Sequence, residues 1–187
     1  MTNAVFIVPR ESFRDEELFV TRDELERAGW VCTIASRAVG VCEGMRGGRV
    51  LATVALSQLD GAAYDAVIFV GGNGARSFFD EEDAHRVARR AAAGIGVLAA
   101  ICIAPGILAR AGVLSGRHAA VHASEAKALL AAGAFVPPTS VVVDGKLVTA
   151  DGPHAAHDFA MAIVRAGSPR PARTTRSLRP PSKPSPV

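Results

Sequence analysis

Short apolar runs recur along this chain, and segments with helical spacing lie between most of them. AVFIV (4–8), VCTIAS (31–36) and the AVIFV of YDAVIFVGGNGA (66–70) are rich in β-branched residues, and each reads as a buried strand. Pro9 closes the first run, and a Gly-Gly turn ends the third. Between the first two lie Glu11, Asp15, Glu16 and Glu17, then FVTRDELERAGW (19–30), with helical spacing and Gly29 as a stop. Strand, helix, strand is the βαβ unit of a parallel sheet.

The alternation continues. Val39 to Leu59 is glycine-rich and weakly periodic, and reads as short strands or a hairpin followed by a turn. DEEDAHRVARRAAAGI (80–95) reads as a capped helix, with Asp80 or Asp83 near its start and Gly94 at its end. A strand begins at Gly96, and APGILARAG (104–112) is the helix after it. SEAKALLAA (124–132) is a further helix. SVVVDGKLVTA (140–150) is a β-hairpin turning at Asp144–Gly145, and HAAHDFAMAIVRAG (154–167) is the last helix. The expected fold class is α/β: a three-layer αβα sandwich, mostly parallel, flavodoxin-like, with a hairpin added. Such sheets gather their sites at the carboxyl ends of strands, near a switch in strand order. Three loops are expected to meet there: the acid-rich one after the first strand, Gly71–Gly72, and Cys102.

Composition divides the chain in two. It is 187 residues long, 49% hydrophobic and 21% charged, which suits one soluble domain with a sizeable core. The net charge of +3 comes from the end of the chain, where Arg170, Arg173, Arg176, Arg179 and Lys183 meet no acid. Residues 1–167 are therefore read as the folded domain. Residues 168–187, basic and rich in Pro and Ser, are read as a disordered tail. A basic arm can touch nucleic acid or acidic membrane. This one lacks interleaved aromatics, so neither partner is expected and a solvated extension is the reading. The start has no basic segment before a long apolar stretch, so no signal peptide is expected. The apolar run 95–109 contains Pro105 and falls short of the ~18 residues that argue for a membrane span. Three cysteines, Cys32, Cys42 and Cys102, suggest neither a disulfide framework nor a metal site, and a cytoplasmic location is the default.

Cys102 lies at a strand-to-helix junction, in A-I-C-I-A. In a nucleophile elbow this turn is sharp and strained, and it lifts the reactive atom above the sheet. The positions two before and two after must be small, and here they are Ala100 and Ala104. Pro105 suits the first helical turn. A helix N-terminus favours a thiolate, so a lowered thiol pKa is expected. The backbone N–H groups of Ile103 and Gly72 are candidate oxyanion donors, and glycine at Gly71 and Gly72 permits close backbone approach. An isolated cysteine in an apolar run is commonly a small buried hydrophobe. That reading holds for Cys32 and Cys42, whereas the elbow pattern favours a site at Cys102. No Walker motif or convincing dinucleotide fingerprint is present, and no cofactor is expected.

V-G-G-N-G-A (70–75), A-I-C-I-A-P (100–105), A-G-V-L-S-G-R (111–117) and V-D-G-K-L-V-T-A-D-G-P (143–153) together resemble the ThiJ/PfpI family of the class I glutamine-amidotransferase-like superfamily. The resemblance runs in register from about Ala4 to Gly167. It implies a glutamate at the start of the first helix in contact with the cysteine. Glu11, Asp15 and Glu16 are equal candidates on residue type, and the register selects Glu17. A charged carboxylate would raise both pKa values, while a protonated one could donate a hydrogen bond to a thiolate. The resemblance also implies a histidine near the site, at His122.

Two departures stand out. Protease-type members carry histidine directly after the cysteine, and Ile103 stands there instead. The usual T-S-R-G-P reads T-A-D-G-P, so Asp151 replaces arginine, with Pro153 and His154 following. Asp151 could orient His122 or His154. The simpler alternative is that Asp151 caps the last helix and both His154 and His157 face solvent. The resemblance thus implies a cofactor-independent enzyme in which Cys102 attacks a small carbonyl electrophile, glyoxalase- or deglycase-like, with Glu17 and His122 moving protons. Gly71, Asp151, Pro153 and His154 are candidate pocket residues. Alternatives are a redox sensor or stress chaperone using an oxidisable Cys102, an amidase, peptidase or isonitrile hydratase, and an inactive scaffold. A homo-oligomer, a dimer, is likewise implied by the resemblance.

Overall fold

A computed structural model describes residues 1–167. The basic tail expected at 168–187 lies outside the described residues. Seven strands form the main sheet: β1 (Asn3–Ile7), β3 (Val31–Ser36), β6 (Val54–Ala55), β7 (Ala66–Phe69), β8 (Val97–Ile101), β9 (Val141–Asp144) and β10 (Leu147–Ala150). Their order is β6-β3-β1-β7-β8-β10-β9, and only the β10/β9 edge pair is antiparallel. A second, three-stranded sheet joins β2 (Glu11–Phe13), β4 (Gly40–Gly44) and β5 (Arg49–Ala52). The expected three-layer α/β sandwich is the fold observed.

The buried strands are apolar on both faces because helices cover both. In β1 and the residue after it, Ala4, Phe6 and Val8 face the layer of α1 (Asp15–Arg27) and α5 (Ala156–Gly167). Val5 and Ile7 face α2 (Glu82–Ala93), α3 (Pro105–Arg110) and α4 (Ala126–Ala131). The side-chain period of two in a strand makes this division. Burying each large aliphatic or aromatic side chain contributes roughly 1.5–3 kcal/mol. The chain passes from β1 to β3 on one side of the sheet and then to β7 on the other. The order therefore switches between β1 and β7, beside β8.

Several local expectations need correction. α1 begins at Asp15, four residues before the segment whose spacing first suggested it, so the acid-rich stretch is partly its first turn. Glu11–Phe13 is a short strand, because β4 offers it a parallel partner that local sequence does not reveal. Glu81 precedes α2 without a side-chain cap, so neither Asp80 nor Asp83 caps it. In the late hairpin Asp144 pairs with Leu147, so the turn residues are Gly145, at φ 62°, and Lys146. The Asp144 carboxylate is free to accept the His118 N–H at 2.9 Å. His118 makes only an isolated bridge to Phe135 and belongs to no strand. Among the described residues no helix is long and apolar enough to cross a membrane.

Candidate active site

Cys102 follows β8 directly and adopts φ 64°, in the left-handed region that a non-glycine residue occupies only under constraint. Two long-range bonds hold it there. Its N–H donates to the Ala150 carbonyl at 2.9 Å, and its carbonyl accepts the His122 N–H at 2.8 Å. Pro105 opens α3 as expected, and Ala104 precedes it with no side-chain cap. Cys102 is only partly buried, whereas Ala100, Ile101, Ile103 and Ala104 around it are buried. The turn thus lifts one polar group from an apolar run.

Glu17 reaches this thiol from the first turn of α1. It is completely buried, and its Oε2 accepts the Gly71 N–H at 2.9 Å. Oε1 is buried with no hydrogen-bond partner, and the Cys102 thiol is near enough to bear on the carboxyl's acidity. Burial pushes Glu17 up to about 7, against the opposing pull of Cys102 and the Gly71 N–H. The neighbouring acids are spent elsewhere. Asp15 accepts the Arg46 and Gly48 N–H groups at 2.8 and 2.7 Å, and Glu16 pairs with Arg14 and Arg46. Glu17 lies one and two helical turns from the buried Thr21 and Leu25, but Asp15 is buried too, a turn before Leu18, so the helical stripe alone does not separate the two acids.

The glycine pair after β7 closes the site. A Cβ on Gly71 would stand 2.5 Å from Glu17 Oε2 and 2.7 Å from Cys102 Cβ. Gly72 has φ 94° and packs against the Ser12 carbonyl and the Arg14 N–H. No side chain fits either position. The N–H groups of Gly72 and Ile103 are near enough to the Cys102 sulfur to favour its charged form. The three expected loops therefore meet, and they bring together Cys102, Glu17, Gly71, Gly72 and Ile103.

The expected lowering of the thiol pKa is overturned. Cys102 is pushed up to about 12, first by burial and then by the Glu17 charge; the two N–H groups act in the opposite sense without prevailing. The helix after it is a single short segment of six residues, too small to outweigh these effects. Glu17 and Cys102 form one coupled acid pair, as the second expectation had it. Cys32 is also pushed up to about 12 by burial, and Cys42 is raised for the same reason. Neither faces a buried carboxyl with displaced acidity.

The other candidates lie on the far side of Cys102. His122 touches it through the backbone only. The imidazole Nδ1 accepts from Ser124 N–H at 3.3 Å and lies 3.0 Å from Ser124 Oγ, an arrangement that caps the turn Ala123–Glu125. Asp151 does not cap the last helix: the turn Pro153–Ala155 precedes α5, and Gly152 stands at its start without a side-chain bond. Asp151 Oδ1 instead lies 3.3 Å from His154 Nε2. Both His154 and His157 are exposed, as the simpler reading had it, and His157 lies 3.3 Å from Glu24. His122, Asp151 and His154 line one cavity of about 460 Å³, which Pro153 does not line.

A doubly wound sheet with a strained cysteine at the carboxyl end of β8, one strand from the switch in strand order and beside a buried carboxyl, defines the class of protein. The chain belongs to the DJ-1/PfpI family, whose model matches residues 2–166. Among its relatives, a deglycase of Pyrococcus abyssi is 30% identical over 80% of this chain and 90% of its own length. A glutathione-independent glyoxalase of Caenorhabditis elegans is 25% identical over 95% of each chain. The crystal structure of a ThiJ/PfpI domain protein from Brachyspira murdochii superposes with a TM-score of 0.85 at 29% identity, covering 88% of this chain and 95% of that one.

Proposed function

We propose that this protein is a cofactor-independent enzyme in which Cys102 adds to a small aldehyde or α-oxoaldehyde, in the manner of a glyoxalase or deglycase. The observation that carries this reading is the fully buried Glu17, which accepts the Gly71 N–H at 2.9 Å, packs with Gly71 against Cys102, and is pushed up to about 7 by burial. A group poised there can both take and return a proton at neutral pH. As Sγ bonds to the aldehyde carbon, the thiol proton passes to Glu17. The carbonyl oxygen then takes up a proton, giving a neutral hemithioacetal. With an α-oxoaldehyde, loss of the former aldehydic proton gives an enediol, and reprotonation at the adjacent carbon gives a thioester. Water releases a 2-hydroxy acid and restores the thiol, so one oxoaldehyde and one water balance one product. The Gly72 and Ile103 N–H groups, already near the sulfur, are the donors proposed for the developing oxyanion.

A protease-like reading has less support. Ile103 cannot take a proton, and the His122 Nδ1 is engaged with Ser124. The names of the deglycase and glyoxalase relatives agree with the carbonyl reading. The test is turnover of methylglyoxal and simple aldehydes by wild type, Cys102→Ser and Glu17→Gln. Cys102→Ser is expected to lose at least ~10³-fold, and Glu17→Gln ~10²–10⁴-fold together with the wild-type inflection near pH 7. Undiminished turnover in Cys102→Ser, or none in wild type, overturns the proposal.

A further inference from the structure

A further buried acid, which the proposed reaction does not use, stands behind the cysteine turn. Glu125 is 4% exposed, and its N–H donates to the His122 carbonyl at 2.9 Å. The His122 N–H in turn holds the Cys102 carbonyl at 2.8 Å. Two arginines from other segments meet the Glu125 carboxylate. Arg76, in the turn Asn73–Phe78 directly after Gly72, donates from Nη1 to Oε1 at 2.9 Å. Arg110, in the last turn of α3, places Nη1 3.6 Å from Oε2 and donates the same Nη1 to the Gly106 carbonyl at 2.9 Å. The Phe79 ring lies against both guanidinium groups, its centre 3.9 Å from that of Arg110 and 5.5 Å from that of Arg76. A Cβ on Gly106 would stand 3.0 Å from Arg110 Nη1 and 3.2 Å from Glu125 Oε2, so the start of α3 packs closely on the cluster. The Gly106 N–H donates to the Ile103 carbonyl at 2.9 Å. One carboxylate thus joins the segment after Gly72, the helix after Cys102 and the turn that holds the Cys102 carbonyl.

Stability alone does not call for charge in such a place. Losing one partner of a buried ion pair is costly, yet apolar side chains of similar size often serve the fold as well. We propose that Glu125 is a positioning residue: through Arg76 and Arg110 it sets where the Gly72 and Ile103 N–H groups stand relative to the Cys102 sulfur. The charged set supplies direction, because a carboxylate bonded to guanidinium groups from two other segments fixes the placement of all three. Donors to a developing oxyanion act only over a short range, so displacing them costs rate more than affinity. The inference rests on Cys102 as the reacting group, but its deciding test does not require turnover.

The deciding measurement is the rate of Cys102 alkylation by iodoacetamide at fixed pH, read on the Cys102 peptide by mass spectrometry. The two N–H groups favour the charged sulfur, so loosening them should slow the reaction. Glu125→Gln and Arg76→Gln are each expected to slow it about threefold, and the double variant no more than Glu125→Gln alone, because the changes act on one link. Arg86→Gln is the control for general destabilisation. Arg86 donates to the Leu56 and Leu59 carbonyls at 2.6 and 2.9 Å and belongs to none of the three segments. Its variant should alkylate within about 1.5-fold of wild type even where stability falls as far. With an aldehyde substrate, Glu125→Gln should lower kcat about tenfold with KM within about twofold. Unchanged alkylation in Glu125→Gln, an equal slowing in Arg86→Gln, or a loss confined to KM overturns the inference. Arg76 is half-exposed, so Arg76→Gln tests the same link if Glu125→Gln folds poorly. If wild type turns over no aldehyde, the proposed enzyme falls while the alkylation series still decides the role of Glu125. Turnover that Glu125→Gln fully retains sinks the positioning role and leaves the enzyme.

Discussion

Glu17 and Asp151 stand on opposite sides of Cys102, one after the strands at the centre of the sheet and the other after β10. Each has one carboxyl oxygen that is buried without a good donor. The similarity ends there. Glu17 is sealed in the interior, where burial lifts it to about 7 and the thiol is its neighbour. Asp151 retains 30% exposure at the rim of an open cavity, with an exposed imidazole beside it. One environment pushes a carboxyl up to about 7 beside a thiol, and the other holds a carboxyl against an exposed imidazole at the edge of a cavity.

The largest break in this contrast should come from Gly71→Ala. The new Cβ would meet Glu17 Oε2, Cys102 Cβ and the Ile101 carbonyl at 2.5 to 2.8 Å, so the Glu17 side must open while the Asp151 cavity is untouched. We expect at least ~100-fold loss of turnover and a stability loss of about 2–4 kcal/mol by chemical denaturation. Retained activity would mean the Glu17 contact is dispensable.

Glu17→Gln should alter the pH dependence of stability. The folded-state pKa is raised from 4.5 to about 7, so the folded protein holds a proton that the unfolded chain releases. Stability from this group is present below about 4.5 and is lost as pH climbs to about 7. The full loss is on the order of 3 kcal/mol. Glu17→Gln should be flatter across that window and more stable than wild type at pH 8. A slope in Glu17→Gln as steep as that of wild type across this window would overturn the assignment of a raised acidity to this carboxyl.

Thiol chemistry offers a smaller effect. With Cys102 pushed up to about 12, alkylation by iodoacetamide near neutral pH should be at least ~10-fold slower than at a free thiol. Glu17→Gln removes the second cause of that rise and should speed it several-fold. A Cys102 that alkylates faster than a free thiol would restore the helix-dipole expectation. The smallest effect belongs to Cys32→Ala, on β3 and away from both carboxyls. Turnover within about twofold of wild type and a stability change within ~1 kcal/mol are expected.

The fold was legible because local pattern carried it. AVFIV and VLAAI have no polar alternation, and the only place for such strands is between two covering layers. The elbow was legible because close chain approach demands small residues, and Ala100 and Ala104 supply them. The short strand Glu11–Phe13 was not, since its pairing partner β4 comes much later in the chain. His122 was found by position, but its use as a cap depends on Ser124 and on how the turn folds back to Cys102. Glu17 was chosen by resemblance, because helical spacing does not separate it from Asp15, which is buried on the same helix and bonded to Arg46 and Gly48 instead.

The sequence by itself therefore determined the layers and the cysteine at the end of β8, because side-chain periodicity and size act over a few residues; the strand order came from the tertiary structure. The tertiary structure decided the acidity of the site. Whether a thiol is easier or harder to ionise depends on the water removed from it and the charge brought near it, and both come from segments distant in the chain. Local reading of a helix start argued for an acidic thiol; the burial of Cys102 against Glu17 reversed the sign. The same reason explains Asp151, whose neighbours in sequence do not show that one of its oxygens is left unbonded at the edge of a cavity.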